Sequence, residues 1–566
     1  MKLYMKQMMS IRKRMILLVL LVVFLSACDV PSEKKTEVQS PALVLDPLIE
    51  KRIAELKTPA KEVIREVPVY SAVLVKNFYT GRNYKPAWSK DGSLTQVDTL
   101  IKAVEESFGD GLTPDYYHLV PIRALVNKAG EYPIKDAALL IDLDILLTDA
   151  FLTLSCHLSG GCVDPVSIEA EWFAKQGTVD VSSVLEQALR KKQIREALVD
   201  LRPEQGAYGR LKKALAWYRE LSSKGEWPLV SDGMRLEKGS VSDRVPELRR
   251  RLAASGDLEA LQTEAGNLFD EKLEQSVIFF QKRHGLKEDG VVGPETINAL
   301  NVPLKQRIRQ IELNMERLRW ILSNQEPRFI VVNIANFRLD VIEDSKPVLS
   351  MKVVVGKPYL RTPVFTAKMN SIIINPSWNV PDSIARKEIL AKIKKNPQYL
   401  AEQNIKVLRG WGTKEEEVDP ETIDWSKITQ NNLPYRFRQE PGPLNPLGRI
   451  KFMLPNKYDV YLHDTNARRL FSADTRAFSH GCTRIEKPLE LAEYLLQDNS
   501  AWTRKRILAA MDEGLEQKVS IPHPLNVHFL YLTAWVDEEG LLQFRKDIYD
   551  RDSLLDEALR RRPSSK

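Results

Sequence analysis

The chain has 566 residues, more than one ordinary hydrophobic core supports, so we expect three or more modules. Hydrophobic residues make up 43% of it and charged residues 28%, which is the composition of a folded globular protein and argues against wholesale disorder. The net charge of +7 comes from 83 basic and 76 acidic residues. This excess is too mild to favour nucleic acid as a partner, although it permits an anionic wall polymer or membrane surface.

The N-terminus has the pattern of an export signal. Its basic residues are Lys2, Lys6, Arg12, Lys13 and Arg14. The apolar run from Met15 to Leu25 that follows has about 11 residues, fewer than the roughly 20 that span a bilayer. It leads into Leu25-Ser26-Ala27-Cys28, which resembles the bacterial lipobox. We therefore expect a signal peptide over 1–28 with lipidation at Cys28; cleavage without lipidation and an uncleaved anchor are the alternatives.

Two features beyond Cys28 extend this prediction. Asp29 follows it directly, and an Asp at this place resembles the inner-membrane retention signal of enterobacterial lipoproteins. The expected location is therefore the periplasm, with a lipid tether to the inner membrane. The polar, proline-interrupted stretch 29–58 predicts a flexible tether. From 59 to 230, amphipathic segments alternate with breaks, which predicts a mostly helical scaffold domain.

The four cysteines, Cys28, Cys156, Cys162 and Cys482, sort into three roles. Cys156 and Cys162 lie on either side of a glycine pair that would let the chain fold back, which favours a short disulfide; two buried thiols are the alternative. With Cys28 acylated and that pair bridged, Cys482 is an unpaired thiol in an exported protein. Such a thiol usually has a chemical role.

The segment 235–303 predicts a small module of three helices. Its motifs are Phe279-Phe280-Gln281-Lys282-Arg283-His284-Gly285-Leu286 and Asp289-Gly290-Val291-Val292-Gly293-Pro294-Glu295-Thr296-Ile297-Asn298-Ala299-Leu300. Gly290 and Gly293 permit a tight turn, and Pro294 suits the first turn of a helix. The module resembles the peptidoglycan-binding domain 1 family. The resemblance implies wall binding, with a purely architectural role as the alternative.

The C-terminal half changes from helix to strand. An apolar stripe predicts a connector helix over 304–327, and β-branched runs separated by turn residues predict a β-rich catalytic domain over 328–549. Within it, 381–432 is charged and helical in character, so we expect an inserted cap or lid; a solvated surface excursion is the alternative. A polar tail, 550–566, completes a predicted multidomain α+β fold.

The chemistry centres on Cys482. A thiol is only a few per cent ionised at neutral pH, so acyl transfer needs a neighbouring imidazole. His480 lies two residues away, in Ser479-His480-Gly481-Cys482-Thr483-Arg484-Ile485, and would contact the thiol if the segment is extended. His463, in Tyr461-Leu462-His463-Asp464-Thr465, comes from another element and would approach across the site. Spacing leaves both open.

A family resemblance favours His463. The residues that carry it are Gln439, Gly442, Pro443, Asn445, Leu447, Gly448, His463, Thr465 and Ser479-His480-Gly481-Cys482-Thr483-Arg484. Together they resemble the YkuD-type L,D-transpeptidase domain, and the preceding modules resemble the large periplasmic branch of that family. The resemblance implies that Cys482 is the nucleophile and His463 its base. Asp464 departs from the family pattern, since many members carry Gly after the base, which puts the local backbone geometry in question.

The resemblance implies a two-step reaction without a cofactor. Cys482 attacks the third residue of a donor tetrapeptide stem, releases D-Ala and forms a thioester, which an amine of an acceptor stem then resolves into a cross-link. The Cys482 N–H is a candidate oxyanion donor, joined by Gly481. Arg484 either holds a stem carboxylate or braces the loop.

The remaining site predictions concern supporting residues. Ser479 and His480 are expected to support the turn. Tyr461, Trp378 and Asn445 are candidates for the substrate cleft, although core packing also suits Trp378, as it does Tyr435. We expect no metal, because no HExxH or comparable pair accompanies the histidines. Carbapenems are expected inhibitors.

Two other functions remain open. An L,D-carboxypeptidase would use the same thioester with water in place of the amine. A wall-anchoring protein with a vestigial transferase domain would rely on the peptidoglycan-binding-like module, although an intact Cys482 and His463 argue against it.

Overall fold

The computed structural model describes residues 45–56, 63–130, 134–168, 179–203, 206–259, 266–321, 326–410 and 412–561. The predicted signal peptide, Cys28 and Asp29 lie outside the described residues, as does the first part of the tether. Within these ranges the predicted multidomain α+β fold is confirmed: a helical N-terminal region and a small helical module precede a β-rich domain.

The N-terminal region consists of helices and two short hairpins. In chain order they are Asp46–Glu55 (α1), Val63–Ile64 (β1), Val67–Pro68 (β2), Ala72–Gly81 (α2), Ser89–Lys90 (β3), Ser93–Leu94 (β4), Val97–Glu106 (α3), Leu119–Ala129 (α4), Ala137–Gly160 (α5), Pro165–Ile168 (α6), Val181–Lys191 (α7), Ile194–Asp200 (α8) and Gly206–Ser223 (α9). Because α5 is apolar on nearly every side, it is buried in the centre of this region. Of the helices in the described ranges, none has both the length and the apolarity to cross a membrane.

Helix α1 corrects the predicted extent of the tether. Ile49 and Ile53 lie one turn apart on α1, and both are buried in the core around α5. Arg52 of the same helix donates to Asp142 of α5 at 3.0 Å. The polar stretch before 58 therefore ends in a docked amphipathic helix, which the sparse apolar residues of 45–56 did not reveal.

The predicted disulfide between Cys156 and Cys162 is wrong, because both residues are free thiols. Helix α5 continues through Gly160, so the glycine pair does not fold the chain back beside Cys156. The backbone N–H of Cys162 instead donates to the Glu316 carboxylate at 2.5 Å. Burial raises the pKa of the Cys156 thiol to about 11, which suits an inert core residue.

The second module has the three predicted helices, Arg244–Ala254 (α10), Glu271–His284 (α11) and Pro294–Leu300 (α12). Their apolar faces share one small core that includes Leu248, Phe280 and Leu300. Asp270 caps α11 by accepting from the Leu273 N–H at 2.9 Å. Gly290, in the loop before α12, has φ +69°, a left-handed conformation that favours glycine.

The connector helix, Leu304–Trp320 (α13), joins the regions on either side of it. It ends before the predicted 327. Glu316 accepts from the backbone N–H groups of Cys162 and Val163, which fastens α13 to the end of α5. Asn314 accepts from the Thr533 N–H at 2.9 Å, which fastens the same helix to the β-rich domain. The buried polar stripe of α13 is therefore an interface between domains.

The β-rich domain contains the remaining elements. In chain order they are Arg328–Asn333 (β5), Arg338–Glu343 (β6), Lys346–Gly356 (β7), Phe365–Ile374 (β8), Trp378–Asn379 (β9), Asp382–Ile384 (α14), Leu390–Lys395 (α15), Tyr399–Glu402 (α16), Ile405–Arg409 (β10), Glu416–Val418 (β11), Arg436–Gln439 (β12), Ile450–Met453 (β13), Leu462–His463 (β14), Ala477–Ser479 (β15), Thr483–Ile485 (β16), Pro488–Leu496 (α17), Arg504–Glu513 (α18), Gln517–Leu530 (β17), Ala534–Val536 (β18), Leu542–Phe544 (β19) and Arg551–Arg560 (α19).

The main sheet has nine strands in the order β15-β7-β16-β14-β13-β8-β17-β5-β6. Strand β6 also pairs with β7, so the sheet closes on itself around the largest hydrophobic core. Most neighbours are antiparallel, but three pairs are parallel: β14 with β16, β15 with β7 and β17 with β5. The short strands β13, β14 and β16 are adjacent; His463 lies on β14, and Cys482 directly precedes β16.

The insertion is wider than the predicted 381–432 and is not only helical. Strands β9, β10, β11 and β12 form a separate four-stranded sheet in the order β11-β10-β12-β9. Helices α14 to α16 and a π-helical turn, Ala385–Ile389, accompany it, and a small core of its own holds it together. Because β9 pairs with β12, the inserted unit spans 378–439.

The C-terminal segment is not simply a polar tail. Residues 551–560 form α19, with Arg551 and Leu555 buried. Arg317 of α13 forms an ion pair with Asp552 at 2.5 Å. The charged composition concealed a helix whose polar side chains pair with the connector, so the predicted tail over 550–566 is wrong for this helix.

Candidate active site

Five side chains share one face of the main sheet because of strand register. Lys451 on β13 lies opposite His463 on β14, and His463 lies opposite Arg484 on β16. Directly paired residues point to the same face, as do residues two apart along a strand. Tyr461 and Cys482 precede these strands, and contacts place them beside the same groups: Tyr461 packs against Lys451 and His463 and bonds to the Cys482 thiol. The structure brings the predicted nucleophile and base together and adds Lys451, which no sequence motif had indicated.

The turn that carries Cys482 is held by buried hydrogen bonds. Gly481 has φ +118°, which favours glycine at this position. Its carbonyl accepts from Thr362 Oγ1 at 2.8 Å, and its N–H donates to Ser479 Oγ at 3.1 Å. Thr362 is held in turn by Tyr549, whose hydroxyl accepts from the Thr362 N–H at 3.3 Å. Ser479 therefore supports the turn.

The same bonds decide which N–H groups are free. The Gly481 N–H donates to Ser479 Oγ and is engaged within the turn, so its part in an oxyanion hole stays a prediction. The Cys482 N–H has no hydrogen-bond partner within the described part of the chain. It remains available to an incoming oxygen.

The thiol of Cys482 contacts the loop between β13 and β14. Its Sγ donates to the Asp459 carbonyl at 3.7 Å. Burial raises the pKa of this thiol, while bonds from the backbone N–H and the hydroxyl of Tyr461, together with the charge of Lys451, oppose the increase. Tyr461 and Cys482 directly precede the paired residues Leu462 and Thr483, which explains the contact. The predicted cleft residue Tyr461 thus lies at the thiol.

The His463 ring is buried and neutral. Its Nδ1–H donates to the Asp464 carbonyl at 2.5 Å, which leaves Nε2 unprotonated in the neutral ring. Burial lowers the pKa of His463 to about 3, assisted by the positive charges of Arg484 and Lys451. An uncharged imidazole whose Nε2 is unprotonated is suited to accept a proton.

The imidazole and the thiol are not hydrogen-bonded to each other. Among the described residues, no hydrogen bond joins Cys482 Sγ to the His463 ring. Register accounts for this, because His463 lies one side-chain repeat beyond Tyr461, about 7 Å along the strand. The rings of Tyr461 and His463 have centroids 5.6 Å apart.

His480 contacts the inserted unit. Its Nε2 lies 2.8 Å from Glu388 Oε1 in the π-helical turn, and both side chains are exposed, at 37% and 43%. The nearer histidine in sequence is therefore engaged away from the thiol. It connects the motif turn to the insertion.

The contacts of Asp464 account for an aspartate at a position where many family members carry glycine. Its carboxylate accepts from the Arg449 N–H at 2.9 Å and from Arg468 Nη2 at 2.8 Å. A Cβ on Gly448 would lie 2.4 Å from this carboxylate, so Gly448 makes room for it. Asp464 thereby ties two loops to the strand that carries His463.

Arg484 is half-buried, and its Nε is buried without a hydrogen-bond partner. No ion pair of its guanidinium occurs among the described residues, so a loop-bracing role has no support. Burial lowers the pKa of Arg484. Lys451 is also half-buried, with its Nζ 3.8 Å from the centroid of the Tyr461 ring.

Two predicted cleft residues belong elsewhere. Asn445 is 1% exposed, and its amide donates to the carbonyls of Pro376 and Glu440, so it organises a loop and does not line a cleft. Trp378 packs against the core of the inserted unit, as does Tyr435. The pairing of β9 with β12, which sequence does not show, decides the position of Trp378.

Three family models match the chain. They are a scaffold domain over residues 73–215, a "Putative peptidoglycan binding domain" over 241–300 and an L,D-transpeptidase catalytic domain over 327–509. A protein of Haemophilus influenzae with the name "Putative L,D-transpeptidase" is 36% identical over 249 residues, which are 43% of this chain and 48% of that protein. The match thus spans about half the length of that curated relative.

Solved structures give weaker matches. A crystal structure of L,D-transpeptidase (Yku) from Stackebrandtia nassauensis is 12% identical with a TM-score of 0.20, covering 54% of this chain and 96% of its own. A crystal structure of the L,D-transpeptidase from Xylanimonas cellulosilytica is 14% identical with a TM-score of 0.16, covering 53% of this chain and 99% of its own. These scores carry no argument about the fold. The family models identify an L,D-transpeptidase catalytic domain (YkuD) over 327–509 and a peptidoglycan-binding domain 1 module over 241–300 in this chain.

Proposed function

We propose that this chain is a cysteine L,D-transpeptidase that joins the third residues of peptidoglycan stem peptides. The observation that supports it most is the shared face of β14 and β16, on which the Cys482 thiol, Tyr461 and a neutral His463 lie together. The matched catalytic domain gives the reaction class.

In the first step, the Cys482 thiol turns from the Asp459 carbonyl towards Nε2 of His463. Its proton moves to Nε2 as sulfur attacks the carbonyl carbon of the third stem residue. The Cys482 N–H donates to the oxyanion that forms. The intermediate then expels D-Ala, whose nitrogen takes the proton from His463, and a thioester remains.

In the second step, a side-chain amine of the acceptor stem attacks the thioester carbonyl. His463 accepts a proton from this amine and returns it to the departing sulfur. An amide bond replaces the thioester, and the Cys482 thiol is restored. Water in place of the amine gives a free carboxylate, which is the carboxypeptidase outcome.

The neutral resting state has a physical basis. Burial opposes both thiolate and imidazolium, as the raised pKa of Cys482 and the lowered pKa of His463 indicate. We therefore infer general-base catalysis, with the proton moving during attack and not before it.

The decisive experiment uses purified protein with disaccharide tetrapeptides and detects products by mass spectrometry. Wild type and a Cys156→Ala variant should form cross-linked dimers, whereas Cys482→Ala should form none. Cys156 is the matched control because it is also a free thiol but lies in the scaffold core. Dimers from Cys482→Ala would overturn the proposal, and tripeptide alone would establish the carboxypeptidase.

Carbapenem inhibition belongs to the same proposal. A carbapenem should add its mass to Cys482 and inactivate the enzyme. The adduct should be absent from Cys482→Ser and present in Cys156→Ala. Acylation that persists in Cys482→Ser would place the reactive group elsewhere.

We also propose export and a lipid anchor at Cys28, supported by the N-terminal sequence alone. Wild type should fractionate with inner membranes, and Cys28→Ala should be released from them. Continued association of Cys28→Ala would instead indicate an uncleaved apolar anchor.

We further propose that the peptidoglycan-binding domain 1 module binds the cell wall. A pull-down with insoluble peptidoglycan, using the protein with and without residues 235–303, would test this.

A further inference from the structure

Lys451 and Arg484 flank His463 in a row that crosses three adjacent strands. The β13–β14 register places Lys451 on one side of the imidazole, and the β14–β16 register places Arg484 on the other. Because paired residues share a face, both cations lie beside the proton-accepting ring and near the thiol. Their charges both act on His463.

Neither cation has an anionic partner. Within the described ranges, no carboxylate lies within ion-pair distance of Lys451 Nζ or of the Arg484 guanidinium, and Arg484 Nε is buried without a hydrogen bond. Asp459 and Glu516 influence Lys451 only at longer range. Elsewhere in this domain, cations of similar exposure are paired: Arg438, for example, bonds to both Glu415 and Glu440.

A half-buried cation without a partner is unfavourable, because burial removes water and nothing replaces it. Two such cations on one face, with Lys451 positioned over the Tyr461 ring, indicate a site that an anion completes. The thiol does not supply that anion at neutral pH, since burial raises its pKa. The anion must therefore arrive with the substrate.

The chemistry of the leaving group supplies one. D-Ala at the end of a tetrapeptide stem has a free carboxylate, and its carbon lies two bonds from the nitrogen that His463 must protonate. When the D-Ala nitrogen lies against the imidazole, the D-Ala carboxylate therefore lies next to the residues on either side of that ring. Those residues are Lys451 and Arg484.

We propose that Lys451 and Arg484 bind the free carboxylate of the departing D-amino acid and thereby restrict the donor to stems in which that residue is terminal. This inference rests on the proposed function, since it names the substrate group that the same site recognises. An ammonium and a guanidinium together give charge-assisted hydrogen bonds, with Arg484 able to bind in bidentate fashion.

The test combines a substrate change with a protein change. Two donors are compared, a tetrapeptide ending in D-Ala and the same peptide ending in D-alaninamide, each with wild type and with Lys451→Met. Amidation should lower kcat/KM of wild type by about 10- to 100-fold, and Lys451→Met should lower it similarly for the acid donor. For the amide donor, Lys451→Met should change kcat/KM by less than about threefold, because the interaction is already lost.

Controls separate this inference from folding effects and from the proposed function. Lys368→Met, an exposed lysine on β8 of the same sheet, should behave as wild type with both donors. Arg484→Gln should show the same coupling to the donor carboxylate as Lys451→Met. The wild-type comparison of donors needs no variant, so it remains informative even if a variant does not fold.

Each outcome has one meaning. If wild type converts both donors equally, or if Lys451→Met loses equal activity with both, the carboxylate inference is overturned while the proposed function stands. If wild type converts neither donor although Cys482 is intact, the proposed function itself fails. Preference for the acid donor that disappears in Lys451→Met establishes the inference.

Discussion

Buried polar groups occur in both the helical scaffold and the catalytic sheet, but they are satisfied to different degrees. In the scaffold, Asp149 accepts hydrogen bonds from Tyr70, Ser71 and His118, and all its oxygens are engaged. On the catalytic face, the Cys482 N–H and Arg484 Nε have no hydrogen-bond partners among the described residues. A complete network holds a fold together, whereas an incomplete one leaves places for a substrate to fill.

The largest expected effect is at the incomplete site. His463→Ala should lower kcat/KM by about a thousandfold, because it removes the proton acceptor. Its melting temperature should remain near that of wild type. Steady-state kinetics and thermal unfolding measure the two quantities separately, and an active His463→Ala would transfer the role to another base.

The complete network should respond in the opposite way. Asp149→Ala removes the acceptor of a buried His118 and two backbone N–H groups, and should destabilise the scaffold by about 3–5 kcal/mol. Chemical denaturation followed by circular dichroism gives the value. At a temperature where the variant is folded, kcat should match wild type; a large loss of kcat would break the distinction between the two regions.

Acid should destabilise both regions through buried imidazoles. Burial lowers the pKa of His157 to about 4 and that of His463 to about 3, below the ordinary value of about 6.5. Below pH 6.5 the unfolded chain therefore binds more protons than the folded chain. The free energy of unfolding should decrease as the pH is lowered, by about 1.4 kcal/mol per pH unit for each ring. Denaturation at pH 7 and pH 5 tests this. His157→Gln should reduce the slope, and the exposed His523→Gln should not.

The pH dependence of alkylation should show that Cys482 is a neutral thiol in the resting protein. If Cys482 is uncharged at rest, its alkylation by iodoacetamide should accelerate about tenfold per pH unit up to pH 9 without a plateau near neutrality. Peptide mapping by mass spectrometry gives the rate at this residue alone. Tyr461→Phe should slow alkylation a few-fold, since the Tyr461 hydroxyl favours the thiolate. A plateau at pH 6–7 would show a preformed ion pair.

The smallest effect is expected at the exposed contact between His480 and the inserted unit. Such a pair contributes about 0.2–1 kcal/mol, so Glu388→Gln should change KM for a bulky disaccharide donor by a few-fold at most, with kcat unchanged. Arg386→Gln, in the same π-helical turn, is the control. A large loss of kcat in Glu388→Gln would show that the insertion orders the catalytic turn.

The sequence predicted those parts of the site that depend on short motifs. Gly481, Cys482 and His463 lie in compact motifs, and their residue types follow from the chemistry of acyl transfer. Lys451 could not be found in this way, because only strand pairing brings β13 beside β14. The same reason explains Trp378, whose partner strand begins far away at Arg436.

The fold was predictable where periodicity is strong, as in α5, α11 and the strands of the main sheet. It was misjudged where charged residues pack against other charged residues. Arg551 and Asp552 read as tail residues in sequence, yet Arg551 is buried and Asp552 pairs with Arg317. The glycine pair at 160 and 161 suggested a reversal, but its neighbour Cys162 is held by Glu316, whose proximity depends on tertiary packing.

The connector helix sets a limit on how the chain can be dissected. Asn314 and Arg317 bind Thr533 and Asp552, while Glu316 on the same helix binds the end of α5. A fragment that begins after Trp320 would leave the buried Thr533 N–H and Asp552 without these partners, at a cost of several kcal/mol. The smallest portion that folds with an intact catalytic sheet therefore includes α13. Cutting the protein at the edge of that sheet would remove the helix that supports it.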